Sequence, residues 1–166
     1  MEGLESGADD FITKPFDGEE LQVRVKNLVD QRKKLSEHYQ KNFNLAGKKA
    51  SEVPLSMDEK FLKKAQDLIE ENLSNADYGV ENFATDMALS RVQLHRKLRA
   101  LVDQSATGFI RSIRLNHAMI LLQKKAGTIA EIAYDAGFNN PTYFSISFKK
   151  KFGITPTDYL DQLEKK

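Results

Sequence analysis

Two stretches of this 166-residue chain share one layout: a short helix pattern, a tight turn, a capping residue and a longer helix carrying basic residues. The first spans residues 80–102, with Phe83 and Met87 before the turn and Ser90 as the cap. The second spans residues 128–152, with Ala136-Gly137-Phe138 at the turn and Asn140 as the cap. A pair of this form is a helix-turn-helix unit, whose second helix can enter a DNA major groove. One such pair constrains little, because any helical hairpin can mimic it. Two pairs joined by a helix over residues 107–125 constrain a great deal. They call for an all-α domain of about seven helices built from two helix-turn-helix subdomains.

The remaining elements follow from caps and periodicity. Ser56-Met-Asp-Glu59 has the form of a capping box, and the helix it opens places Phe61, Leu62, Ala65, Leu68, Ile69 and Leu73 on one side. In the connecting helix, Ile110, Ile113, His117, Ile120 and Leu121 form one expected inward stripe. Thr155-Pro156 starts the last helix, proline being suited to a first helical turn. The domain is therefore expected over residues 58–166, after a linker at 42–57 that holds Gly47-Lys-Lys and Val53-Pro-Leu-Ser. Before it, residues 17–41 read as a helix in which Leu21, Val25, Leu28 and Leu35 recur at spacings of four and three. That seam suits a short coiled coil and a weak homodimer, with Arg32 as its flaw. The competing reading is that these side chains pack on a sheet of a preceding domain.

Helical geometry sorts the faces of the two second helices. Advancing about 100° per residue from Leu94 brings Leu98 and Leu101 within about 40° of it, so that face turns inward. Val92, Arg96 and Arg99 fall on the opposite face, with Gln93 and His95 on its flanks. From Phe144, the same count buries Phe148 and turns Thr142, Ile146 and Lys149 outward, with Ser145 and Lys150 beside them. Arg96 offers a two-pronged donor for guanine, and Gln93 or His95 can bond a base edge. Val92 and Ile146 would meet a thymine methyl, which gives an apolar side chain a reason to stand on a wet face. The expected base contacts are thus Val92, Gln93, His95, Arg96, Thr142, Ser145 and Ile146. Arg91, Lys97, Arg99, Lys149, Lys150 and Lys151 are the expected phosphate contacts. Arg111 and Arg114 on the connecting helix suit a phosphate and a structural ion pair equally.

The net charge of +1 conceals an asymmetry. Residues 1–77 hold 12 Lys+Arg against 16 Asp+Glu, whereas residues 78–166 hold 13 against 8. The basic excess lies with the two helical pairs, where phosphates would sit. The chain has no cysteine, which excludes disulfides and thiolate metal sites and fits a reducing cytoplasm. His38, His95 and His117 have no metal-ligand spacing, and no phosphate loop or nucleophile elbow occurs. His117 reads as a core histidine. No catalytic residues, metal, cofactor, small-molecule ligand or membrane contact are expected, and the chain is expected in the cytoplasm.

The stretch Thr128-Ile-Ala-Glu-Ile-Ala, then Ala136-Gly-Phe-Asn-Asn-Pro-Thr-Tyr-Phe-Ser145 and Phe148-Lys-Lys-Lys-Phe-Gly-Ile-Thr-Pro-Thr-Asp-Tyr159, resembles the signature of AraC/XylS-type DNA-binding domains. The resemblance covers roughly residues 60–164. It implies recognition helices that read adjacent major-groove segments of double-stranded DNA. Many members carry arginine where this chain has Ile146, so readout by the second unit is expected to differ. Gly7-Ala-Asp-Asp-Phe-Ile-Thr-Lys-Pro-Phe16 resembles the last strand and following loop of a two-component receiver, with Lys14 and Pro15 at the lysine and cis-proline positions. Residues 1–16 are thus expected to be a receiver remnant lacking its phosphoacceptor, and 17–41 the last receiver helix. Together these resemblances imply a transcription-regulating output module of a two-component phosphorelay, of the hybrid sensor kinase type, whose parent would be anchored in the inner membrane. RNA polymerase is a further candidate partner. The rival class is a protein-interaction module acting through residues 17–41, with the basic helices merely solvated.

Overall fold

The computed structural model describes residues 56–164 and, ahead of them, the helical positions Gly18, 21–23, 25–27, 29–30, Lys34 and Glu37. The expected strand with Lys14 and Pro15, the seam residues Leu28 and Leu35, and linker residues 42–55 lie outside the described residues. Within residues 56–164 seven helices follow one another: α1 (Met57–Glu71), α2 (Val80–Asp86), α3 (Arg91–Val102), α4 (Ala106–Gln123), α5 (Ile129–Asp135), α6 (Pro141–Phe152) and α7 (Pro156–Glu164). No strand occurs among the described residues, and none of their helices is long and apolar enough to cross a membrane.

Side-chain caps start these helices, except α2, whose cap position is Gly79. Ser56, Ser90 and Thr128 each form a full capping box, with Glu59, Gln93 and Glu131 reaching back to the cap backbone. Ser105 caps α4, and Asn140 caps α6 ahead of Pro141. The turns inside the two units end α2 and α5 in the same way. Leu89 N–H donates to Ala84 O and Phe138 N–H to Ala133 O, each around a left-handed residue, Ala88 (φ 56) or Gly137 (φ 78). These are Schellman ends, and the residue after each left-handed position turns back against the helix it has just left.

The core divides in two. Helices α1–α3 and the first half of α4 enclose Ile69, Phe83, Leu94, Leu98, Phe109 and Ile113. The second half of α4 with α5–α7 encloses Leu115, Ala118, Leu122, Ile132, Phe144 and Phe148. Counting about 100° per residue from Phe109, Ile110 and Ile113 lie within about 100°, whereas Leu115, Ala118 and Leu122 fall between about 180° and 240°. The connecting helix therefore buries nearly opposite faces in its two halves. This corrects the expected single stripe: past Ile113 that face leaves the first core, so Ile120 is exposed and His117 only half-buried.

A polar joint fixes one core against the other. Arg114 of α4 donates to the carbonyls of Asn75 (2.7 Å) and Tyr78 (3.2 Å) in the loop after α1. Ser74 Oγ donates to Asp135 O at the end of α5. Gly137 packs so tightly here that an added Cβ would collide with the Leu73 carbonyl oxygen.

The paired turns make opposite predictions. In Ala88→Gly, relief of about 1–2 kcal/mol of left-handed strain exceeds the about 0.4–1 kcal/mol lost to a freer unfolded chain, so Tm should rise slightly. Gly137→Ala should lower Tm by several degrees, because it adds that strain and forces the Leu73 loop away. Thermal unfolding followed by far-UV circular dichroism checks both. A fall in Tm for Ala88→Gly would contradict the strained turn.

Candidate nucleic-acid interface

The second helix of each unit presents the face that its periodicity requires. In α3 the Ser90–Gln93 box fixes the first turn, and Leu94, Leu98, Leu101 and Val102 are buried. His95 and Arg96 are exposed, and Val92 is 65% exposed. In α6, Phe144 and Phe148 anchor the helix in an aromatic cluster with Phe138, Phe152 and Tyr159. Thr142, Lys149 and Lys150 are exposed, and Ile146 is 63% exposed.

The two faces belong to one surface. A groove between α3 and the start of α4 is lined by Val92, His95, Arg96, Ser105 and Thr107. A second groove, between α4 and α6, is lined by Ser105, Gly108, Arg111, Tyr143, Ile146 and Lys150. Ser105 is common to both, so the grooves meet at the first turn of the connecting helix. Tyr143 of this surface is absent from the sequence expectation, although it lies about 100° from Phe144 on the same flank as Lys150.

Intramolecular partners sort the expected phosphate contacts into distinct groups. Arg91 pairs with Glu81 at 2.9 Å and Arg99 with Asp103 at 2.9 Å, both in solvent. Surface pairs of this kind contribute little and exchange readily, so both cations remain open to phosphate. Lys97 departs from expectation. It reaches Asp58 at 3.7 Å and lies 4.6 Å over the Phe61 ring, against α1 rather than the outward face. Its position about 60° from Leu94 explains this placement. Lys151 departs further. Its Nζ donates to Ser112 O at 2.8 Å and sits over Phe152, and burial lowers its pKa from 10.5 to about 8. Among the described residues, Arg96, Lys149, Lys150 and Arg111 have no carboxylate within ion-pair distance.

Two of the expected base readers are partly engaged by their own helices. Gln93 Oε1 accepts from Ser90 N–H in the capping box, and Ser145 Oγ donates to Pro141 O. The amide N–H groups and one Oε1 lone pair of Gln93, and the lone pairs of Ser145, are left for a base. Of the expected dimer seam, Leu21 and Val25 are helical and exposed, at 38% and 50%.

Comparison with known proteins agrees with this architecture. Residues 83–162 match the family model described as a helix-turn-helix domain. A protein named histidine kinase P4 from Formosa agariphila is 38% identical over 160 residues, which make up 96% of this chain and 12% of that protein. The C-terminal domain of AraT, a response regulator from Geobacillus stearothermophilus, is similar in structure with a TM-score of 0.58 and 29% identity. That match covers 64% of this chain and 88% of that domain. An AraC-type DNA-binding-domain regulator from Chromobacterium violaceum gives a TM-score of 0.58 and 28% identity over 63% of this chain and 92% of its own. The domain has the AraC-type helix-turn-helix fold.

The sorting of lysines has a measurable consequence. Lys149→Ala should lower affinity for every duplex and reduce the slope of log K against log salt by about one unit, as loss of one phosphate contact requires. Lys151→Met should leave that slope unchanged. Because the folded pKa of Lys151 lies below its unfolded value, unfolding takes up a proton between about pH 8 and 10.5. Stability should rise across that window in the unsubstituted chain, and the Lys151→Met variant should lose this rise. Urea unfolding at a series of pH values, compared between the two chains, measures it.

Proposed function

We propose that this AraC-type helix-turn-helix domain binds double-stranded DNA sequence-specifically, α3 and α6 entering adjacent major-groove segments, and regulates transcription. The observation that carries the proposal is the pairing, among the described residues, of exposed apolar side chains with basic side chains that have no ion pair, on both second helices and along one continuous surface. Val92 stands beside Arg96, and Ile146 beside Lys149 and Lys150, with neither apolar side chain covered by protein. Arg96, His95 and Val92 then read bases from α3, and Thr142 and Ile146 read them from α6, assisted by Gln93 and Ser145. Arg91, Arg99, Lys149 and Lys150 hold phosphates and set the register.

The chain acts, on this reading, as the output module of a two-component phosphorelay. Two observations support it: the similarity over nearly the whole chain to a protein named as a histidine kinase, and the structural likeness to the C-terminal domain of a response regulator. The receiver-like wording of residues 7–16 agrees with that role. Residues 1–16 would then belong to a receiver and 17–41 to its last helix, with residues from 42 linking them to the domain. Signal-dependent pairing through Leu21, Val25, Leu28 and Leu35 would raise the local concentration of a second domain over a neighbouring site. The exposure of Leu21 and Val25 supports such pairing. The domain would work in the cytoplasm, with RNA polymerase as the partner to be recruited or blocked.

Competition between a duplex selected from a random pool and its scrambled counterpart tests the reading face. Arg96→Ala should cost about 1–3 kcal/mol on the selected duplex and relax preference at one guanine. Ile146→Ala should cost less and weaken a thymine preference. If Arg96→Ala weakened both duplexes equally, Arg96 would be holding phosphate and the assignment would fail. Sedimentation tests assembly separately. We expect weak, concentration-dependent dimerisation that Val25→Asp with Leu28→Asp abolishes while the domain stays folded. A strict monomer at high protein concentration would refute it.

A further inference from the structure

Arg111 lies on the connecting helix, outside both helix-turn-helix units, yet it lines the groove that also holds Ile146 and Lys150 of α6. Its Nη1 donates to the Tyr143 hydroxyl at 2.9 Å. Among the described residues no carboxylate stands within ion-pair distance of it. Arg114, one helical turn along and likewise half-buried, is held differently: two backbone carbonyls of the inter-core joint take its guanidinium. The two arginines that the sequence leaves equivalent thus have different surroundings. Arg114 is a structural tie, and Arg111 is a charge held ready at the surface.

The choice of partner matters. A carboxylate beside Arg111 would neutralise it and compete with any arriving anion. A phenol orients the guanidinium while leaving its full positive charge and most of its five N–H donors unclaimed. Tyr143 is itself 47% exposed, and the guanidinium, as its hydrogen-bond donor, lowers the pKa of the hydroxyl. Tyr143 also sits one turn before Ile146 on α6. A contact made by Arg111 is therefore rigidly referred to the second reading face.

We propose that Arg111, oriented by the Tyr143 hydroxyl, binds a phosphate of the DNA strand that passes between the two recognition helices, and so sets the register of α6 in its groove. This rests on the DNA-binding reading above and adds to it a third element, the connecting helix, as part of the binding surface. Arg111 is the phosphate contact, and Tyr143 is its positioning residue.

Fluorescence anisotropy of the full 166-residue chain with a mixed-sequence duplex of about 21 base pairs, two turns of DNA, tests the proposal over a range of salt. Arg111→Gln should weaken binding about tenfold at low salt and lower the salt slope by about one unit, whatever the sequence. Arg111→Lys should keep the slope, since it keeps the charge. Tyr143→Phe should weaken binding about threefold in the unsubstituted background and have no further effect beside Arg111→Gln, because its role acts through the arginine. Binding and slope unchanged in Arg111→Gln would overturn the proposal while leaving the DNA-binding reading intact. So would equal losses from Tyr143→Phe in both backgrounds, or a fall in Tm large enough to account for the lost binding. Absence of binding by the unsubstituted chain at low salt would overturn the DNA-binding reading, and this inference with it.

Discussion

The two recognition helices can act together only because the loop after α1 and the turn of the second unit are locked against each other. The lock is polar and close-fitting. Burying a guanidinium is costly unless its donors are satisfied, and charged hydrogen bonds to carbonyls are worth about 1.5–3 kcal/mol each. Arg114 meets that condition through Asn75 O and Tyr78 O, although its Nε–H lacks a partner among the described residues. Those carbonyls belong to the loop after α1, so the same bonds help order the loop and join the cores. Gly137 completes the joint by letting the Leu73 backbone approach where any side chain would intrude. The connecting helix contributes the rest, its N-terminal half embedded in one core and its C-terminal half in the other. A rigid pair of this kind binds its second groove segment as an intramolecular event, without the entropy cost of ordering a flexible tether.

Much of this architecture is legible in the residues, for identifiable reasons. Caps are local chemistry, so Ser56, Ser90 and Asn140 mark helix starts directly, and Pro156 marks another. Short helices packed on one side keep a single periodic face, which is why counting from Leu94 and Phe144 finds the outward residues of α3 and α6 correctly. The connecting helix defeats the same procedure. Ile110, Ile113, His117, Ile120 and Leu121 do share one stripe, but a helix passing from one core into another changes its buried face midway, to Leu115, Ala118 and Leu122. Ile120 continues the stripe in sequence and leaves it in space. Periodicity reports which residues share a face, not what that face meets. Likewise, the joint at Arg114 and Gly137 depends on a loop 39 residues away from the arginine it binds, and no local pattern announces a contact of that range.

The cations of the interface show the same limit more sharply, since a sequence records charge but not what already neutralises it. Lys149, Lys150 and Lys151 are consecutive and chemically identical, yet the third turns inward to Ser112 O and Phe152 while the first two remain in solvent. Successive residues on a helix point about 100° apart, so a run of three lysines cannot present one face. Lys97 counts among the basic residues of α3, but its angle sets it beside the buried edge of that helix, where Phe61 and Asp58 receive it. A phosphate contact must be able to give up its present partner at little cost. Arg91 and Arg99 can, because their carboxylates are solvated and the pairs are weak. Lys151 cannot, because its ammonium is turned inward, bonded to Ser112 O and packed over the Phe152 ring. Among the described residues, Arg96, Lys149 and Lys150 have no ion pair to break. The electrostatic surface offered to DNA is therefore narrower than the count of basic residues implies. It is concentrated along the strip from α3, across the first turns of α4, to α6.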